Sequence, residues 1–127
     1  MVESGGETPY WALTHQIIGA AYEVHRTLRP GFLERVYVNA LLKELSELGL
    51  AAAAEVSIPV IYKGTEIGLY YADILVENAV ICEIKAIRAI SREHEAQLLH
   101  YLKATGVRVG LLLNFGAKSA EVKRMML

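Results

Sequence analysis

The sequence predicts an α/β domain in which helices cover a mixed β-sheet, in the order ααβββαβ with a further C-terminal element. Three observations predict it. Two stretches with apolar residues at spacings of three and four come first. Three alternating runs joined by tight turns follow. A third helical stretch then leads into a near-continuous apolar run, the pattern of a central strand buried on both faces.

The chain's 127 residues suit one domain, and a hydrophobic fraction of 54% allows a real core, with apolar surface to spare for a partner subunit. We expect a flexible leader over residues 1–11, which holds Ser4, Gly5, Gly6 and Pro9, and a single domain over 12–127. No apolar run approaches ~20 residues, so no membrane-spanning helix is expected. The stretch MVESGGETPY carries two glutamates and no basic n-region, unlike a signal peptide. The single cysteine, Cys82, excludes an internal disulfide and fits a reducing, cytoplasmic location. Strand alternation puts it on the face opposite Glu83, as a packed core thiol.

The net charge of −1 exerts no overall pull on a polyanion, but the charges are unevenly spread. Residues 1–84 hold five Lys/Arg and eleven Asp/Glu, whereas residues 85–127 hold eight and three. The basic part could steer a nucleic acid while the acidic part holds metal ions; the bland alternative is that the fold mixes these charges over its surface.

Taken in order, Ile17, Ala21, Val24 and Leu28 mark a helix from about Leu13 to Leu28, ended by Arg29-Pro30-Gly31. His15 and His25 lie on or beside it, most simply as packed or solvated side chains. A second helix runs from about Phe32 to Leu48, with Leu33, Val36, Tyr37, Ala40, Leu41, Leu45 and Leu48 as a wide apolar face. Glu34 lies in its first turn. It either complements the helix dipole or points at a site as a third acid. Ala51 to Ala54 reads as a linker or helix tail. Strands follow over about Glu55–Tyr62, Glu66–Val76 and Val80–Ile87 as an antiparallel meander, with Pro59 marking an edge or bulge. Ser91 caps a helix to about Thr105, closed by Gly106. Val107 to Phe115 is the buried central strand. Glu121 to Leu127 ends the chain as a strand or short helix.

The chemistry concentrates between Tyr71 and Lys85. Glu83 and Lys85, two apart on a strand, leave the same face, and the turn at Glu77-Asn78 brings Asp73 beside them. Two carboxylates supply the hard oxygen ligands that Mg²⁺ takes together with waters. Lys85 would then act on an attacking water or on charge developing at a phosphate. A cross-strand salt bridge of Asp73 or Glu83 with Lys85 explains the same three residues without function. On the following helix, His94, Gln97 and Tyr101 share one polar stripe. No phosphate-binding Gly-rich loop, nucleophile elbow, H-E-x-x-H or Cys pair is present.

These residues resemble a known family. GFLERVY, from Gly31 to Tyr37, matches the G-x-x-E-x-x-Y signature of the GxxExxY proteins. YADILVENAVICEIKAI, HEAQLLHYLKATG and GLLLNFG match the rest of that family's pattern in order, over nearly all of the chain after about residue 12. The family is similar to a branch of the PD-(D/E)XK nuclease superfamily. The resemblance implies a restriction-endonuclease-like αβββαβ core with an extra N-terminal helix. It implies Asp73 as the motif's Asp, Glu83 and Lys85 as its E-x-K, Gln97 and Tyr101 as the Q-x-x-x-Y pair of RecB-like members, and Glu34 as the acid of the first core helix. The Pro before the motif's Asp is Ala72 here.

Two functions are therefore expected as rivals. One is a Mg²⁺- or Mn²⁺-dependent nuclease acting on DNA or RNA, backbone-directed because so small a chain has little surface for base readout. In it Asp73, Glu83 and Glu34 bind metal, Lys85 acts on water and phosphate, Gln97 and Tyr101 orient them, His94 assists at the rim, and a homodimer helps span a duplex. The other is an accessory module that binds nucleic acid or protein on the same scaffold without turnover; a third, bland reading is a structural homodimer whose polar cluster is only a salt-bridge network.

Overall fold

A computed structural model describes residues 10–127; the leader expected over 1–11 therefore falls almost wholly outside the described residues. The element order is α1 (Trp11–Leu28), α2 (Glu34–Glu47), β1 (Ala52–Tyr62), β2 (Thr65–Val76), β3 (Val80–Lys85), α3 (Arg92–Thr105), β4 (Val109–Asn114) and β5 (Glu121–Met126). The expected mixed sheet is present, with five strands in spatial order β1-β2-β3-β4-β5. Every neighbouring pair is antiparallel except β3 and β4, which are parallel and linked through α3.

The sheet separates two cores. On one face Ile74, Val76, Cys82 and Ile84 pack with Leu111, Leu113 and Phe115 against Ile17 and Val24 of α1 and Tyr37, Leu41 and Leu45 of α2. On the other, Ile58, Ala72, Ile81 and Leu112 meet Leu98, Tyr101 and Leu102 of α3. All six residues of β4 are buried, as a central strand with both faces covered requires. Gly110 lets α3 close onto β4, since a Cβ there would lie 2.9 Å from the Leu98 side chain.

Local signals set most boundaries. Ser91 caps α3 by accepting the His94 N–H, and Gly106 ends it at φ 78°. Glu77 and Asn78 both take positive φ, 54° and 53°, the geometry of a tight primed turn between β2 and β3. Pro59 lies on β1, an edge strand, and the β1–β2 register shifts between Val60 and Ile61. β3 ends at Lys85, two residues before the expected Ile87.

The alanine run is corrected. Ala52 to Ala54 form the start of β1 rather than a linker or helix tail, paired with Val76, Leu75 and Ile74. Alanine's helix preference yields to ladder pairing and to two bonds at Ala51, whose N–H donates to Glu77 Oε2 at 2.6 Å and whose carbonyl accepts the Glu77 N–H at 2.7 Å.

Candidate active site

The site is built where the β2–β3 ladder stops. Residue pairing runs Val76–Val80, Leu75–Ile81, Ile74–Cys82 and goes no further. Beyond it side chains replace the backbone acceptors. Glu83 Oε2 accepts the Asp73 N–H at 3.0 Å, and Asp73 Oδ2 accepts the Ile84 N–H at 2.7 Å. On its other side Asp73 also lacks a ladder partner, because pairing skips from Ala54–Ile74 to Val56–Ala72. The skipped residue, Glu55, takes φ 53°, a left-handed conformation uncommon for a side-chain-bearing residue. The sheet thus opens around Asp73 on both sides.

The electrostatics of this opening are unfavourable for two bare carboxylates. Glu83 is only 6% exposed. Burial first, then the Asp73 charge and more weakly that of Glu34, push its carboxyl up to about 8, against the Asp73 N–H and the Lys85 charge. Burial also raises Asp73; the Ile84 N–H and Lys85 oppose this, and Glu55 adds to it. The cross-strand salt bridge is not formed: among the described residues Lys85 makes no ion pair within 4.0 Å with either carboxylate. The buried Cys82 thiol is pushed up by burial and by both carboxylates, and sits in the core.

Glu34 is delivered by the G-x-x-E-x-x-Y segment. Gly31, at φ 132°, makes a turn closed to other residues without strain. Tyr37 is fully buried, stacks on Phe115 with ring centroids 4.9 Å apart, and donates its hydroxyl to Arg29 O at 2.6 Å while accepting the Phe32 N–H at 3.1 Å. This clamp fixes the entry to α2, whose first residue is Glu34. Glu34, Glu55 and Asp73 line one cavity of about 490 Å³ with Leu33, Val38 and Asn39.

Lys85 is held through its backbone. It pairs with Asn114 across the parallel ladder, and its carbonyl accepts the Phe115 N–H at 2.8 Å. The Asn114 side chain, 1% exposed, accepts from Ile87 N and Gly116 N at 3.0 Å each, and donates to Ile87 O at 2.9 Å and Glu121 Oε1 at 2.8 Å. Glu121 Oε1 also accepts the Ile90 N–H at 3.1 Å. Gly116 packs so closely on this segment that a Cβ would fall 2.3 Å from Ile87 N.

On α3, Tyr101 is buried and its hydroxyl is raised by burial, then by Glu83, Asp73 and Tyr70, so it stays a neutral donor beside the carboxylates. Gln97 is exposed and lies one turn away on the wall of the groove that Tyr101 lines. His94 serves the helix cap: Nδ1 accepts the Ser91 N–H at 3.0 Å. Two participants carry little signal in the sequence. Glu55 reads as the first residue of a strand. Asn114 is the one polar residue of β4, at the end of an apolar run, which is the only hint of its role.

The donor set fits a divalent cation. Asp73 and Glu83 are hard oxygen donors whose carboxyls burial raises, and the described hydrogen bonds engage one oxygen of each. Among the described residues no three His, Cys, Asp or Glu side chains converge into a ready-made cage. Magnesium needs only one or two carboxylates with waters.

A mixed five-stranded sheet between helices, with an acidic pair at an opened strand end, is the restriction-endonuclease-like architecture. A family model described as the PD-(D/E)XK nuclease superfamily matches residues 11–125, and the chain belongs to that superfamily. Nucleases of this superfamily generally use divalent metals. A solved structure, "Crystal structure of SSO0001", has a similar fold at 17% identity and a TM-score of 0.58; the likeness covers 92% of this chain and 59% of that one. This chain therefore spans about three fifths of that protein's length. No curated protein matches the sequence significantly. Among the described residues no helix is long and apolar enough to cross a membrane.

Proposed function

We propose that the protein is a divalent-metal-dependent nuclease that hydrolyses phosphodiester bonds, with DNA as its main substrate and Mg²⁺ or Mn²⁺ as its ion. The observation that carries this reading is the Asp73–Glu83 pair, half-buried to buried, mutually repelling and not ion-paired with Lys85. In this reading Asp73 and Glu83 hold the ion, with Glu34 as a further ligand from the cavity it shares with Asp73. When bound, the ion supplies Lewis-acid polarisation of the phosphate and a lowered pKa for a nucleophilic water. Lys85 orients the attacking water and neutralises charge that develops on the phosphate. Tyr101 donates its hydroxyl toward the same place, and Gln97 helps orient the phosphate. His94 assists at the rim only by keeping the start of α3 in place. The match of GFLERVY to the GxxExxY signature supports placing the chain in that branch. Exposed Ile67, Leu69 and Tyr71 on the hairpin support a homodimer, and the buried, reduced Cys82 supports a cytoplasmic location.

A second reading, a binding module without turnover, draws on the lack of a three-ligand cage among the described residues. Cleavage of single-stranded, duplex and branched DNA, with Mg²⁺, Mn²⁺ or EDTA, separates the two. Metal-dependent cleavage lost in both Asp73→Ala and Lys85→Ala supports the nuclease. Tight nucleic-acid binding with no cleavage under any metal supports the module.

A further inference from the structure

A second concavity lies on the α3 face, a groove of about 760 Å³ between α3 and the β1–β2 hairpin. One wall is Ile58, Pro59 and Val60 of β1; Tyr70 of β2 and Tyr101 of α3 meet inside it, with ring centroids 5.8 Å apart and planes tilted by 42°. Tyr70 is 49% exposed, so part of its ring remains open to a ligand. Gln97, His100 and Lys103 line the α3 side, and Glu93 is the one acid among the lining residues.

We propose that this groove binds an unpaired nucleotide next to the scissile phosphate, so that the preferred substrate is single-stranded or frayed nucleic acid rather than intact duplex. The inference rests on the nuclease reading for its scissile phosphate, but the binding step does not. Four features select this occupant. The groove reaches toward the acidic pair through Tyr101, which lines it and also packs in one cluster with Ala72, the residue before Asp73, and Ile81, two residues before Glu83. Its walls offer aromatic and aliphatic faces, which stack on a base only when that base is not already in a duplex. Its rim offers the exposed Lys103 for the flanking phosphate, with Gln97 and His100 to hydrogen-bond to the base. A volume of about 760 Å³ is of small-molecule size, enough for a nucleotide or two.

Binding is measured by fluorescence anisotropy in EDTA, with a labelled single strand and the matching blunt duplex. The expected result is single-strand affinity at least tenfold above duplex. Tyr70→Leu should lower single-strand affinity about tenfold, the size of one lost base–aromatic stack, and Tyr70→Phe should retain it. Lys103→Gln is the second variant, expected to weaken single-strand binding and reduce its salt dependence. Far-UV circular dichroism checks that each variant is folded. Equal binding of both substrates, or single-strand binding indifferent to Tyr70→Leu and Lys103→Gln, overturns the groove. So does a dimer, seen by sedimentation, that Tyr70→Leu dissociates while single strands fail to bind. The two readings separate cleanly. Duplex cleavage lost in Asp73→Ala, with Tyr70 silent, leaves the nuclease and removes the groove. Tyr70-dependent single-strand binding without any cleavage leaves the groove and removes the nuclease.

Discussion

Asp73 and Glu83 each satisfy a backbone N–H that the β2–β3 ladder abandons: Glu83 takes the Asp73 N–H at 3.0 Å, and Asp73 takes the Ile84 N–H at 2.7 Å. The two carboxylates therefore hold the strand ends in place. A structural role and a chemical role fall on the same atoms, and substitutions can separate them.

Asp73→Asn keeps an amide oxygen for the Ile84 N–H but removes the charge. We expect a fold and Tm close to the wild type and a loss of metal-dependent cleavage of at least about 100-fold, in the range of losing one electrostatic contributor. Asp73→Ala should lose activity as fully and also cost about 1–3 kcal/mol, because the Ile84 N–H loses its acceptor. Parallel cleavage assays and denaturant unfolding check both. An active Asp73→Asn removes Asp73 from the chemistry.

Glu83 makes the metal-free protein pH-sensitive. Its folded pKa is raised from an ordinary 4.5 to about 8, so the folded state binds its proton more tightly than the unfolded state does. The stability it contributes is complete below its ordinary value and is lost as pH rises through about 8. Asp73, also raised, acts in the same direction. In EDTA, Tm should fall between pH 5 and 9, and Glu83→Gln should flatten that fall and melt higher than wild type at pH 9. Saturating Mg²⁺ or Mn²⁺ should raise the wild-type Tm at pH 9 by mass action and leave Glu83→Gln nearly unmoved. A wild-type Tm that is level from pH 5 to 9 contradicts this account of Glu83.

Tyr37→Phe isolates the clamp at the entry to α2. The ring stack on Phe115 survives, while the bonds to Arg29 O and from Phe32 N–H are lost. The expected cost is about 1–3 kcal/mol by urea unfolding, from backbone groups left with poorer partners. If Glu34 works as placed, Mn²⁺ affinity by calorimetry should also fall severalfold. Unchanged affinity would mean that Glu34 is held independently of Tyr37.

Asn114→Ala tests the support behind Lys85. It removes the acceptor of two N–H groups, Ile87 and Gly116, and the donor to Ile87 O and Glu121. We expect roughly 2–5 kcal/mol of destabilisation, the sum of buried groups left unpaired. In the fraction that remains folded, kcat should drop more than KM rises, because Lys85 is displaced while the substrate-binding surfaces of α3 stay.

Much of the candidate site is legible in the sequence. E-x-K spacing on a strand puts Glu83 and Lys85 on one face, the Glu77-Asn78 turn returns Asp73 toward them, and the break at Arg29-Pro30-Gly31 announces a helix from about Phe32 with Glu34 in its first turn, which in the structure begins at Glu34 itself. What stayed hidden depends on interactions between segments distant in sequence. The start of β1 at Ala52 is decided by Glu77, and alanine's own preference points the other way. Glu55 joins the site only because the ladder skips it. The choice between a salt bridge and an acidic pair not ion-paired with Lys85 is a matter of a few ångströms across the strand end, which no spacing rule specifies.

The sequence alone determined the α/β class, the element order up to the last element, and that Glu83 and Lys85 share a strand face, because periodicity, turn chemistry and capping act over a few residues. Only the tertiary structure decided that the β2–β3 ladder ends one pair short of Asp73 and Glu83. It also decided that their carboxylates replace the missing backbone acceptors and that Asn114 and Gly116 hold the segment after Lys85. Those outcomes depend on desolvation and on which buried N–H groups find an acceptor, and both are set only once distant segments have packed.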